Sequence, residues 1–176
     1  RDGILSLLRS IVHEERALAL MILIHQFKKG SPRIRQGIFD LYLGNTAFIN
    51  NWDLVDLSAK WIVGGYLKDK PKDVLYTLAR SSSLWERRIA VLATFQYINE
   101  GDSEDALRIA EILLPDRHDL IQKAVGWMLR EVGKRCSEET EEGFLKLHYR
   151  SMGRTALRYA IERFEEAKRR AYLRGE

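Results

Sequence analysis

Five apolar-rich stretches that recur along the chain constrain its fold more than any other feature. They read HEERALALMILIHQF, WDLVDLSAKWIVGGYL, WERRIAVLATFQYI, LIQKAVGWMLREVG and RTALRYAIERF, and they begin roughly 35 residues apart, the spacing of helical-repeat units. Within them apolar residues fall three and four apart, the period of a helix with a buried face, and no segment alternates convincingly as a strand would. Small residues near their middles (Ala59, Ala90, Ala93, Ala124, Gly126, Ala156, Ala160) permit close helix approach. Short breaks at Gly30-Ser31-Pro32, Gly44-Asn45, Lys70-Pro71, Ser81 to Ser83, Gly101 to Ser103, Pro115-Asp116, Gly133 to Ser137 and Ser151 to Gly153 punctuate about ten helices. The expected fold is all-α, a solenoid of antiparallel HEAT-like helix pairs with a concave, basic face. A plain helical bundle is the alternative.

The 176 residues suit one domain, and 45% hydrophobic content suffices for a real core. Lys and Arg outnumber Asp and Glu by 29 to 25, an excess that permits an anionic partner without demanding one. Cys136 is the only cysteine, so no internal disulfide or multi-cysteine zinc site can form and a reducing, cytoplasmic setting is the expectation. No apolar run approaches the roughly 20 residues that span a bilayer, and the first residues do not lead into a signal peptide. His13, His25, His118 and His148 lack close metal-ligand spacing; no metal is expected. There is no phosphate-binding glycine loop or nucleophile elbow, so no nucleotide cofactor is expected either.

Three constellations carry chemistry. In NNWDLVD, Trp52 and Asp56 stand four apart and share a helix face, where an aromatic beside a carboxylate can desolvate the acid and offer a face to a cation. Asp53 and Asp56 also suit the first turns of a helix, so either can be structural. Around Trp127 the helical wheel sets Lys123, Arg130 and Lys134 on one face, while Ile121, Ala124, Val125, Met128 and Val132 form the apolar stripe. Trp127 then suits a surface that neutralises phosphates and stacks on a base or sugar, or simply covers a helix junction. In LWERRIAVLATFQYI almost every side from Ile89 to Ile98 is apolar, so the helix is central, with Arg87 and Arg88 in its first turn. There they either make an anion welcome or pair with an acidic neighbour.

HEERALALMIL, YLGNTAFINNWDLVDLSAKWIVGGYL, LWERRIAVLATFQYI, DLIQKAVGWMLREVGK and MGRTALRYAIERF together resemble the AlkD-like DNA alkylation repair family of DNA glycosylases, in that family's order. The resemblance implies that Asp56 is the catalytic aspartate, Trp52 and Trp127 the active-site tryptophans, and Arg88 the active-site arginine that contacts DNA. It also implies duplex DNA held in the concave face, with the aromatics acting on the nucleotide without a deep base-flipping pocket. Lys123, Arg130, Arg154 and Thr155 are further DNA-binding candidates. Two departures stand out. The chain begins about a dozen residues before HEERALAL, where the family has further helices, so residues 1–176 read as a single glycosylase domain lacking those helices. Gly153 stands where a proline is expected, which should loosen the start of the last repeated helix.

Alkylation at N3 or N7 makes a purine cationic, so it can leave the sugar without a general acid, and one carboxylate suffices. The function so expected is hydrolysis of the N-glycosidic bond of cationic alkylated purines, such as 3-methyladenine and 7-methylguanine, in duplex DNA by a monomeric base-excision-repair enzyme. Asp56 would stabilise the oxocarbenium-like sugar and position water, and the two tryptophans would face the cation. The alternatives are a non-catalytic DNA-binding repeat protein and a protein-interaction scaffold.

Overall fold

The structure is a computed structural model and describes residues 2–176. Among these there is no strand, and the repeated apolar stretches all become helices. In order they are α1 (Asp2–Leu8), α2 (His13–Lys29), α3 (Pro32–Leu43), α4 (Trp52–Ala59), α5 (Gly65–Leu67), α6 (Asp73–Ala79), α7 (Leu84–Ala93), α8 (Phe95–Ile98), α9 (Glu104–Leu113), α10 (Asp119–Arg135), α11 (Glu138–His148), α12 (Arg154–Ala160) and α13 (Glu166–Arg174). Short 3₁₀ turns occupy Thr46–Phe48 and Ile161–Arg163, and a π turn at Lys60–Gly64 joins α4 to α5.

The long repeated helices form one layer in which α2, α4, α7, α10 and α12 each pack on the next. The intervening helices back them: α3 lies on α2, α6 on α7, α9 on both α7 and α10, and α11 on α10. This is the expected all-α helical-repeat arrangement, and a single buried cluster runs from Leu8 to Tyr172. The apolar stripe read on α10 is fully inside: Ile121, Ala124, Val125, Met128 and Val132 are all buried. So are Ile89 to Ala93 of α7, as a central helix requires.

Close packing within the layer depends on two glycines in equivalent places. A Cβ on Gly64 would lie 2.3 Å from the Ala93 carbonyl oxygen, and one on Gly126 would lie 2.3 Å from the Ala156 carbonyl oxygen. In each case backbone meets backbone, a contact no larger residue allows.

Several local details depart from the sequence expectation. The helix expected from Trp85 to Ile98 is interrupted at Thr94, whose buried hydroxyl donates to the Val91 carbonyl at 2.6 Å and so competes with the helix ladder. Gly133 is not a break but lies inside α10, where Glu141 of α11 fills the space a Cβ would need. Gly153 precedes α12 with φ of −60°, a value proline also takes, but the Gln122 amide packs against it.

Candidate active site

Four consecutive members of the layer bring their side chains to one cleft of about 320 Å³, lined by Trp52, Asp56, Arg88, Leu120, Lys123, Trp127 and Tyr159. The local sequence sets each helix. Asn51 caps α4 by accepting the Trp52 amide at 2.8 Å, so Trp52 opens the helix and Asp56 follows one turn later on the same side. Behind them Tyr42 is fully buried and its hydroxyl shares a 2.9 Å hydrogen bond with Ser58, tying α4 to α3; burial pushes that phenol well above its ordinary pKa. Ser83 caps α7 by accepting the Glu86 amide, while the Glu86 carboxylate accepts from Thr46 at 2.7 Å and from Ser81.

Asp56 and Arg88 form the floor. The Arg88 Nε donates to Asp56 Oδ1 at 2.9 Å and its Nη2 to Oδ2 at 2.8 Å, a two-pronged pair between α4 and α7. A further Nη1 hydrogen bond ends on the Leu120 carbonyl of α10. The Arg88 side chain is 5% exposed and that of Asp56 19%, so the arginine lies beneath and the carboxylate keeps one edge toward the cleft. Asp56 is thereby held in a fixed orientation by two charge-assisted hydrogen bonds. The guanidinium expected to hold a phosphate is thus turned inward onto protein oxygens in this structure.

Trp52 is 53% exposed at the mouth. Trp127 is half-buried and braced edge-on by Phe95, with ring centroids 5.7 Å apart. Trp127 thus covers a helix junction and also lines the cleft. Lys123 also lines it, paired to Asp119 at 2.6 Å; that hydrogen bond raises the lysine pKa and lowers the aspartate's.

The other expected residues are placed less centrally. Arg130 pairs with Glu162, Arg154 donates to the Leu173 carbonyl, and Thr155 is half-buried near Asp119. None of the three lines the cleft. Asp53 lies in the first turn of α4 as expected and also meets His13, whose Nε2 lies 2.6 Å from its Oδ2, joining α2 to α4. Arg87 pairs with Asp116 at 2.7 Å, so both arginines of the first turn of α7 have acidic partners and neither is left for an outside anion. Tyr159 is the residue sequence reasoning missed. Its ring reaches the cleft because Gly126 lets α12 come close to α10, a relation between helices with no local signature.

Volume alone does not pick this site. A larger apolar groove of about 570 Å³ lies along α2 and α3, lined by Leu23, Ile34, Ile38 and Leu41 among others, but no carboxylate lines it.

Residues 1–164 match the model of the DNA alkylation repair enzymes. The chain belongs to the DNA alkylation repair enzyme family. Among solved structures it is similar to a predicted DNA alkylation repair enzyme from Enterococcus faecalis, with 17% identity and a TM-score of 0.73 over 94% of this chain and 75% of that one. At that identity the likeness speaks for the shared fold. No curated protein matches the sequence. As a member of the DNA alkylation repair enzymes the chain has the all-helical repeat architecture expected for it, and among its described residues no helix is long and apolar enough to cross a membrane.

Proposed function

We propose that this protein is a DNA glycosylase that hydrolyses the N-glycosidic bond of cationic alkylated purines, such as 3-methyladenine and 7-methylguanine, in duplex DNA. The observation that carries the reading is the Asp56 carboxylate, locked by buried Arg88 and facing a cleft walled by Trp52 and Trp127. A positively charged purine needs no proton to depart. The developing charge moves to the sugar, and the group required is a fixed anion beside C1′.

Asp56 meets that need. Its two bonds to Arg88 leave further lone pairs on each oxygen, enough to face an oxocarbenium-like sugar and orient a water molecule. Trp52 and Trp127 present π faces that stabilise a cationic base or sugar by about 0.5–2 kcal/mol each. Arg88 acts through Asp56, as a positioning residue. Lys123 lines the cleft, and in this reading it meets a phosphate of the same nucleotide. The cleft is formed by side chains of one helical layer, which suits a lesion approached from its sugar face.

The test is release of 7-methylguanine from methylated duplex DNA by the wild-type protein and by Asp56→Asn, each against a protein-free control for spontaneous loss. Release far above the control, abolished in a folded Asp56→Asn protein, is expected. Equal release by both proteins removes the carboxylate from the mechanism. No release by a folded wild-type chain that binds duplex DNA favours the non-catalytic reading.

A further inference from the structure

Helix α2 is apolar on two sides. Ala19, Leu20, Leu23, Ile24 and Phe27 are buried in the core, while Leu18, Met21 and half-buried Ile22 lie on the opposite side and face outward. A helix that is apolar all round is normally enclosed by neighbours. α2 is also the first member of the described layer, and the outer side of a terminal repeat is normally polar, which keeps a stack of helices soluble. The outer side of α2 is polar only at its two ends.

The charges at those ends complement each other. Glu14 and Glu15 lie in the first turn of α2 and Lys28 and Lys29 in the last; all four are exposed and, among the described residues, none is in an ion pair. Glu14, Leu18, His25 and Lys29 follow at steps of four and seven residues and so share one face. A second α2, turned end for end about the midpoint between Met21 and Ile22, sets that face against itself. Glu14 then meets Lys29 of the second copy and Glu15 its Lys28, Leu18 packs on its His25, and Met21 meets its Ile22 at the centre. The two-fold symmetry makes every contact twice. Ile11, just before the helix, is 97% exposed, and in this pairing it falls opposite Pro32 of the second copy. Beside Pro32 lie Arg33 and Ile34, which line the apolar groove of about 570 Å³ between α2 and α3, so an apolar side chain meets an apolar groove.

We propose that this face joins two copies of the chain in an antiparallel, two-fold dimer, with α2 against α2 and Ile11 of each copy at the groove of the other. The protein is then a dimer rather than the monomer that its sequence suggests. The apolar stripe supplies the buried centre, and the two pairs of opposite charges at each end fix direction and register. No residue of the face lines the cleft, so each copy keeps its own site.

Sedimentation of the protein alone, at micromolar concentration, tests the pairing. The wild-type chain should sediment as a dimer. Glu14→Lys sets lysine against lysine at both ends of the pair, and Lys29→Glu sets glutamate against glutamate. Each should weaken self-association at least about tenfold. Both positions are exposed, so neither change touches the core, and circular dichroism checks that each variant is folded. An equimolar mixture of the two variants brings opposite charges together again at both ends and should re-form dimers that neither variant forms alone. A wild-type chain that stays monomeric overturns the proposal. So does a dimer that neither substitution weakens, which would use another face. Folded variants that both lose the dimer, but whose mixture does not regain it, overturn the antiparallel pairing. Self-association is read without DNA or base release, so its failure leaves the glycosylase reading to the methylated-DNA experiment.

Discussion

Replacing Arg88 should separate the two roles that the Arg88–Asp56 pair plays. Arg88→Met keeps a long apolar stem but removes two charge-assisted hydrogen bonds to Asp56 and one to the Leu120 carbonyl. Breaking a buried ion pair costs about 3–5 kcal/mol, because the remaining charge has lost its partner. Asp56 can recover some hydration through its 19% exposed side chain, which places Arg88→Met near the lower end, about 3 kcal/mol. Asp56→Asn keeps shape and one acceptor but leaves the arginine's charge unneutralised, for about 2 kcal/mol. In the double variant the second change removes a group already without its partner, so the total should remain about 3 kcal/mol rather than 5, a coupling of about 2 kcal/mol. Urea unfolding of the four proteins measures it. Additivity to within about 0.5 kcal/mol would show that the pair is not energetically coupled and that Arg88 does not hold Asp56. In the same series Arg88→Met should impair base release even where DNA binding persists, since a carboxylate free to rotate is a poorer partner for the sugar cation.

Trp52→Ala should lower unfolding stability by under about 1 kcal/mol, since half the ring is already in water, while reducing 7-methylguanine release at least severalfold; equal activity would remove Trp52 from the site. Gly126→Ala drives a Cβ toward the Ala156 carbonyl and should cost about 1–3 kcal/mol in thermal or chemical unfolding, with Trp127 fluorescence altered; a neutral result would mean that α10 and α12 part easily. Glu141 is 3% exposed, one of its oxygens has no hydrogen-bond partner, and burial raises its pKa from 4.5 to about 8. The folded state then holds this proton more tightly than the unfolded chain. Its contribution is fully present below about pH 4.5 and is lost as pH rises through 8, by up to about 5 kcal/mol in all. Glu141→Gln should flatten the decline in stability between pH 5 and 8, and matching pH profiles for the two proteins would refute the assignment.

How much could be read before the fold was known follows from the range of the interactions involved. Helical period is local, so the repeated helices, the buried stripe of α10 and the central position of α7 were all open to inspection of neighbouring residues. The pairing of Trp52 with Asp56 on one side of α4 was equally visible, because residues four apart on a helix must share a face. Which partner each charged group would find was not visible. Arg87 and Arg88 are adjacent in sequence, yet one turns to Asp116 and the other to Asp56, 32 residues away.

Sequence by itself determined that this chain is a stack of helices with a tryptophan and a carboxylate on one helical face, because those properties depend on steps of three and four residues. Only the tertiary structure decided that Arg88 lies beneath Asp56, that Tyr159 completes the cleft, and that Lys28, Lys60 and Arg135 gather around Trp61 and Phe95. Those contacts depend on how close and in what order the helices lie. That order is set by backbone approach at Gly64 and Gly126 and by the widened turn at Lys60, features whose effect appears only when another helix is present.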